Sequence, residues 1–169
     1  ERAPYGPGAL NSSRGRGRPA RVFSLTAKGR ATFGSKEESL ALTAVKFLEN
    51  SGGQEAVREF AATLAKSFAD RHQNIANLPT IQERVEALVS ALNDDGYASD
   101  ISQGLGESTQ ICQHHCPIGD VAAEYPQMCE EETKMFSRLT GVHVTRLATI
   151  AKGAPICTTL VPHTRRDTA

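Results

Sequence analysis

The chain has 169 residues and a formal net charge of zero, with 39% hydrophobic residues, 5% aromatic residues and no Trp. This length is sufficient for one domain or for a small domain with an appendage. The shortage of aromatic side chains argues against an RNA-binding platform on which bases stack. No apolar run approaches the roughly 18 residues of a membrane span, and the first residues lack the apolar core of a signal peptide. These features predict a cytoplasmic protein without a membrane partner.

The charge is unevenly distributed along the chain. Residues 1–30 contain seven basic side chains and one acidic side chain, whereas the remaining residues contain twelve basic and eighteen acidic side chains. Within this basic arm, Arg14, Arg16, Arg18 and Arg21 are separated by small residues and Pro19. Closely spaced arginines of this kind can lie along phosphates or enter a narrow minor groove. The four arginines are therefore candidate DNA-binding residues, and a solubilising tail is the alternative interpretation.

The first half of the chain predicts one short strand followed by helices. Polar and apolar residues alternate over 21–26, which predicts a strand. A capping-box pattern at 35–38 begins a helix that continues to Asn50, and Gly52-Gly53 ends it. A further helix is predicted over 54–72, where apolar residues recur at intervals of three and four.

The second half of the chain predicts a mixture of helices and strands. A second capping box at 80–83 begins a helix that ends before Gly96. After Gly96, polar and apolar residues alternate in shorter stretches. They predict strands at 97–103, 108–111, 142–150 and 156–161 and helices at 117–124 and 127–139. The chain is therefore expected to have a helical segment at 35–95 and an α+β segment at 97–162.

Four cysteines lie in the α+β segment with the spacing C-x3-C-x12-C-x27-C. They are Cys112, Cys116, Cys129 and Cys157. Four thiols are a complete set of ligands for a [4Fe–4S] cluster or for a zinc ion. Structural zinc sites usually contain two short pairs of ligands, so this spacing favours the cluster slightly and leaves zinc open. In a reducing cytoplasm, ligands are favoured over two disulfides.

The predicted elements place the thiols at the ends of strands and helices. Cys112 follows the strand at 108–111, and Cys116 precedes Pro117 in a loop. Cys129 lies at the start of a helix, where free N–H groups favour an anionic cluster. Cys157 lies on the closing strand of a hairpin.

Other polar residues near the cysteines have less specific interpretations. His143 lies fourteen residues from both Cys129 and Cys157 and could replace a thiol, although a solvent-facing strand histidine is the favoured interpretation. The run at 130–132 predicts a solvated helix start that the helix dipole favours. The sequence contains no paired catalytic carboxylates, no Ser/His/Asp set and no phosphate loop. It is therefore not expected to be an enzyme or to bind a small-molecule substrate.

The chain resembles the actinobacterial form of SufR, the repressor of the operon for the Suf iron–sulfur assembly machinery. The segment at 15–29, which includes Gly-Arg-Pro and Leu-Thr-Ala-Lys-Gly, resembles the wing of winged helix-turn-helix repressors. The more specific part of the resemblance covers the cysteines. It consists of Cys112-Gln113-His114-His115-Cys116-Pro117-Ile118, Tyr125-Pro126-Gln127-Met128-Cys129-Glu130-Glu131-Glu132, Arg146-Leu147-Ala148-Thr149-Ile150 and Cys157-Thr158-Thr159.

The resemblance implies an α+β fold and a regulatory function. Residues 1–34 are expected to be the arm and wing of an incomplete DNA-binding domain, residues 35–95 a helical dimerisation segment, and residues 96–169 a small antiparallel-sheet domain that binds the cluster. The protein is expected to be a homodimer whose holo form binds double-stranded operator DNA and whose apo form does not. Because family members carry a recognition helix before the wing, the chain is expected to be truncated.

The resemblance also implies which residues hold one [4Fe–4S] cluster in each subunit. The matching ligands are Cys112, Cys116, Cys129 and Cys157, and for the fourth position Cys112 is preferred and His143 is the reserve.

Overall fold

The computed structural model describes residues 36–104 and 106–163, with side chains from residue 40, and before residue 36 it describes only Gly29. The predicted basic arm with Arg14, Arg16, Arg18 and Arg21 lies outside the described residues. The strand predicted at 21–26 also lies outside them.

The first helix, α1, spans Lys36–Arg71 and is interrupted by a kink. At the kink, Gly53 has φ +70° and ψ −167°, a backbone conformation that essentially only glycine adopts. The two helices predicted on either side of Gly52-Gly53 are therefore confirmed as two helical parts joined at one residue. A short 3₁₀ helix, Gln73–Asn77, follows α1.

The second helix, α2, spans Ile81–Asp94 and begins with the predicted capping box. The Thr80 hydroxyl accepts a hydrogen bond from the N–H of Glu83, and the Glu83 carboxylate accepts one from the N–H of Thr80. Gly96 follows the helix with φ +86°, a left-handed conformation that suits glycine after a helix end. Both predicted ends of this helix are confirmed.

The remaining residues form a four-stranded sheet and two helices. The strands are β1, Ser99–Gln103; β2, Ser108–Gln113; β3, Thr145–Ala148; and β4, Cys157–Pro162. They pair in the order β1-β2-β4-β3, and each pair is antiparallel. The helices are α3, Gly119–Glu124, and α4, Gln127–Thr140. A 3₁₀ turn, Ile150–Lys152, links β3 to the segment before β4.

Besides β1, which begins at Ser99 instead of at 97, two strands differ from their predicted lengths. β2 runs two residues further than predicted, because Cys112 and Gln113 pair with Thr158 and Cys157 of β4. β3 is shorter than the strand predicted at 142–150, and its register with β4 is irregular between Arg146 and Ala148. The greater length of β2 decides the position of Cys112.

Two hydrophobic cores connect the helical segment to the rest of the described fold. The larger core packs α2 and the end of α1 against β2, β4 and α4, and its fully buried members include Leu88, Leu92, Ile111, Phe136 and Val161. The smaller core packs α1 against α3 and the start of α4. The α+β class predicted from the sequence is confirmed. In the described part of the chain, no helix is both long and apolar enough to cross a membrane.

Candidate metal centre

Register across the sheet places the two strand cysteines, Cys112 and Cys157, on different faces. Gln113 lies directly opposite Cys157, and Cys112 lies directly opposite Thr158. Because successive side chains on a strand point to opposite faces, Cys112 and Cys157 lie on opposite faces. We call the face that carries the buried Ile111 the inner face and the other face the outer face.

Three thiols gather beside the inner face. Cys116 lies in the loop between β2 and α3, Cys129 in the first turn of α4, and Cys157 at the first position of β4. They are near enough for electrostatic coupling, since Cys129 and Cys157 each contribute to the raised pKa of Cys116, and Cys157 contributes to that of Cys129. The fold therefore brings together three thiols that are up to 41 positions apart in the printed sequence.

Backbone N–H groups point at two of these sulfur atoms. The N–H of Ile150 donates to the Cys157 sulfur at 3.2 Å, and the N–H of Ile118 donates to Cys116. Such bonds stabilise a thiolate and, in iron–sulfur proteins, help to set the properties of the cluster. The sulfurs of Cys116 and Cys157 are thus provided with the donors that a charged ligand needs.

A buried ion pair lies next to the three thiols. The Arg146 guanidinium on β3 donates to the Glu132 carboxylate on α4, and the two side chains are only 11% and 15% exposed. Arg146 also donates to Gln113 Oε1 at 2.7 Å and to Thr133 Oγ1 at 3.3 Å. It lies 5.2 Å from the centre of the Phe136 ring. This residue therefore connects β3, β2 and α4 behind the thiols.

The surroundings raise the pKa of each thiol. Burial, followed by the charge of Glu132, raises the pKa of Cys116 to about 12 and that of Cys129 to about 11. Burial also raises the pKa of Cys157, although the Ile150 N–H and Arg146 oppose it. A raised pKa favours the protonated thiol, so a metal that binds here must displace the thiol protons.

Cys112 is separated from the other three cysteines. It is buried on the outer face, where its sulfur lies 3.4 Å from the Ser102 hydroxyl. Burial raises its pKa, the Ser102 hydrogen bond lowers it, and Asp100 raises it. The prediction placed Cys112 after the end of the strand, where it would be free to turn. Because β2 continues through Gln113, pairing holds Cys112 on the face away from Cys157.

The histidine considered as a reserve ligand is exposed to solvent, whereas the three thiols are partly or fully buried. His143 is exposed and lies between Val142 and Val144, which are both buried. The structure therefore brings together Cys116, Cys129 and Cys157 and does not bring Cys112 or His143 to them.

The glutamate run on α4 is only partly as predicted. Glu130 is exposed, but Glu131 is buried and pairs with Lys134, and Glu132 is largely buried against Arg146. The expectation of a fully solvated helix start is therefore wrong for the last two. The sequence did contain a signal that Glu132 lies near the thiols. Cys129 and Glu132 are three residues apart, and residues at this spacing share a helix face. Arg146 had no comparable signal, since its hydrogen-bond partners lie on β2 and α4, 13 to 33 positions away in sequence.

The donor set of the inner face suits an iron–sulfur cluster. Among residues 36–104 and 106–163, no group of three or more His, Cys, Asp or Glu side chains is arranged to hold a single metal ion. A cluster attaches its thiolates to different iron atoms, so its ligands need not meet at one point. Thr159 Oγ1 on the inner face is buried and makes no hydrogen bond, and a hydroxyl of this kind can donate to a sulfide. Three thiols, two N–H donors and a nearby cation therefore fit the group.

A cavity of about 540 Å³ adjoins this site. Cys129, Thr133 and Arg146 contribute to its wall, together with residues of α3 and of the turn after β3. The site thus has an open side as well as a buried one.

The sequence matches no protein-family model, and no curated protein is similar enough to count as a relative. The site itself and the sequence resemblance are therefore the two sources of evidence on function.

Proposed function

We propose that this chain is the sensor part of an iron–sulfur-cluster-responsive transcriptional repressor of the SufR type. The observation that carries the proposal is the meeting of three thiols from a loop, a helix and a strand beside one face of the sheet. The proposed protein is a homodimer whose holo form binds the operator of the suf operon. Loss of the cluster from this form permits transcription.

Cys116, Cys129 and Cys157 are the residues that would hold the cluster. When bound, an iron–sulfur cluster supplies a link between these thiolates that depends on the iron supply and is sensitive to oxidants. The Ile118 and Ile150 N–H groups stabilise the thiolate forms of Cys116 and Cys157. Arg146 places a positive charge beside Cys157 and Cys129. These residues together offset part of the negative charge that three thiolates bring into a buried site.

Ligation at these three positions connects parts of the fold that β-sheet pairing alone leaves separate. Cys116 belongs to the loop after β2, whereas Cys129 belongs to α4. Binding to the folded arrangement alone stabilises that arrangement by mass action. The position of α4 relative to the sheet therefore becomes dependent on ligation.

Polar contacts link α3 and α4 to α1, so a shift of these two helices would also move α1. Tyr125, between α3 and α4, donates to the Glu49 carboxylate at 2.7 Å, and Lys46 on α1 lies 2.9 Å from the Glu124 carboxylate. On the other side of the Gly53 kink, Arg58 lies 3.6 Å from the Glu130 carboxylate. The end of α3 and Tyr125 are thus attached to the first part of α1, and α4 is attached to the second part, next to Cys129.

The first residue of α1, Lys36, follows the segment that carries the basic arm. A change in the angle at the Gly53 kink would move this segment and its copy in the second subunit relative to each other. Coupling of about 1.4 kcal/mol is enough for a tenfold change in DNA affinity. The proposed function requires no more than this.

The test is binding of the intact repressor to a duplex containing the suf promoter, measured by fluorescence anisotropy under anaerobic conditions. We expect holo protein to bind at least about tenfold more tightly than apo protein. Cys116→Ser should behave like apo protein, and Cys112→Ser, the matched control on the outer face, should behave like holo protein. Equal affinities for the holo, apo and Cys116→Ser forms would refute the proposal.

Anaerobic purification tests the identity of the metal separately. A brown protein with iron and acid-labile sulfide supports the proposal. A colourless protein that retains zinc would instead indicate a zinc-stabilised interaction domain.

A further inference from the structure

The structure leaves the fourth ligand position of the site unassigned. Cys116, Cys129 and Cys157 supply three thiols, whereas a [4Fe–4S] cluster usually takes four protein ligands. Cys112 lies on the outer face, and His143 is exposed. Another side chain beside the three thiols must therefore be considered.

We propose that the Glu132 carboxylate is the fourth ligand, so that the centre has three thiolates and one carboxylate oxygen. This inference rests on the proposed function, because it concerns the same centre. The family resemblance gives Glu132 no role, and the four-cysteine pattern does not indicate one.

The first support is the position of Glu132 on α4. Cys129 and Glu132 are three residues apart, so their side chains leave the same face of the helix, with Cβ atoms about 5–6 Å apart. The neighbouring carboxylate, that of Glu131, does not lie on this face of the helix. Glu131 is buried but pairs with Lys134 at 2.6 Å on a different face.

The second support is a chain of contacts from Glu132 to Cys157. Glu132 accepts a hydrogen bond from Arg146, and Arg146 donates to Gln113 at 2.7 Å. Gln113 lies directly opposite Cys157 in the sheet, where facing side chains have Cβ atoms about 4.5–5.5 Å apart. The carboxylate therefore lies on the side of α4 that faces Cys157.

The third support is a contact towards Cys116. The Tyr97 hydroxyl donates to the Glu132 carboxylate, and the Tyr97 carbonyl accepts a hydrogen bond from the N–H of His115, next to Cys116. The helix spacing and two sets of contacts thus place this carboxylate beside the thiols.

The present partners of Glu132 show what would happen on ligation. In the described arrangement, the carboxylate is held by Arg146 and Tyr97. On binding, one carboxylate oxygen would form a bond to iron, and the Arg146 hydrogen bond to that oxygen would break. Arg146 would retain Gln113 and Thr133 as acceptors. A carboxylate is a harder and weaker ligand for iron than a thiolate, so the iron at this corner would be the first to leave.

The test uses full-length chain loaded anaerobically with ⁵⁷Fe and sulfide, and Mössbauer spectroscopy as the readout. In the wild type, we expect about one iron in four to differ from the thiolate-bound sites. In Glu132→Cys this difference should disappear, because the fourth position becomes a thiolate. Glu131→Gln and Cys112→Ser are the matched controls and should give the wild-type spectrum.

A second measurement follows oxidation by ferricyanide. Removal of one iron from a [4Fe–4S]²⁺ cluster leaves [3Fe–4S]⁺ and releases Fe²⁺ and one electron, which reduces ferricyanide to ferrocyanide. In Glu132→Gln, the paramagnetic resonance signal of the three-iron cluster should appear on the order of tenfold faster than in the wild type, because the fourth iron has lost its protein ligand. Glu132→Cys should form this signal more slowly than the wild type.

The two proposals fail in different ways. If the wild type takes up iron and sulfide but all four iron sites are alike, or if Cys112→Ser rather than Glu132→Cys changes the spectrum, the Glu132 assignment is wrong and the cluster proposal remains. If the wild type takes up no iron and sulfide, both proposals are wrong.

Discussion

On β2, Cys112 and Gln113 are neighbours in sequence but lie on opposite faces of the sheet. Gln113 faces inwards, where it meets Arg146 and lies opposite Cys157. Cys112 faces outwards, where its sulfur lies near the hydroxyl of Ser102. One position along a strand thus separates a proposed cluster site from an ordinary buried thiol. The comparison shows that cysteine spacing alone does not define a ligand set when two of the cysteines lie on paired strands, because pairing decides which face each one occupies.

The two faces also differ in their electrostatics. The inner face carries the buried Arg146–Glu132 pair, whereas the outer face carries His114 and Asp100, which are 3.0 Å apart and substantially exposed. Water screens the outer pair and not the inner one. Charged groups on the inner face should therefore matter far more for stability and for the site.

The largest expected effect separates the cysteines of the two faces. Cys129→Ser and Cys157→Ser should each abolish stable cluster binding, because each removes a proposed ligand. Cys112→Ser should retain it. The measurement is iron and acid-labile sulfide per chain after anaerobic reconstitution, with circular dichroism as the control for folding. Loss of the cluster in Cys112→Ser, with retention in Cys157→Ser, would reverse the assignment of the faces.

The next effect concerns the charged pairs. Arg146→Ala should lower the free energy of unfolding of the apo protein by about 3–5 kcal/mol, because it leaves Glu132 buried without its cation. The matched change on the outer face, Asp100→Ala, should cost no more than about 1 kcal/mol. Urea denaturation of both variants measures the difference. Similar losses in the two variants would show that the inner pair is not buried in solution.

For apolar residues, the loss of unfolding free energy on truncation should also be larger on the inner face, but the difference between the faces should be smaller than for the charged pairs. Ile111→Ala on the inner face should cost about 2–5 kcal/mol, because Ile111 is fully buried in the larger core. Leu160→Ala on the outer face, where Leu160 is partly buried, should cost about 1–2 kcal/mol. Thermal or urea unfolding tests this order, and a larger loss for Leu160→Ala would contradict it.

The smallest expected effect is a difference in thiol reactivity between apo and holo protein. Ligation should slow the reaction of Cys116, Cys129 and Cys157 with iodoacetamide on the order of tenfold, because the free thiolate is the nucleophile. Cys112 should react slowly and equally in both forms, because its surroundings do not include the centre. In apo protein, the rates at Cys116 and Cys129 should rise as the pH approaches their raised pKa values of about 12 and 11.

Mass spectrometry after timed alkylation gives each rate separately. Protection of Cys112 in the holo form, to the same extent as Cys116, would place it at the centre and contradict the structure.

Much of the fold followed from local patterns. The Gly52-Gly53 interruption, the capping box at Thr80 and the glycine after α2 are short-range features, and the structure confirms each of them. Helix caps and glycine conformations depend on a few adjacent residues, so the sequence contains what is needed to predict them. The strands were predicted in the right order, but their ends were not.

The sequence by itself determined the α+β class, the helix limits and the presence of four thiols near one another in the chain. Only the tertiary structure decided which thiols share a face, because this depends on pairing of β2 with β4, a contact between residues more than 40 positions apart. A side chain on a strand changes face with every residue. The two extra residues of β2 were therefore enough to remove Cys112 from the group, while the turn of α4 placed Glu132 within it.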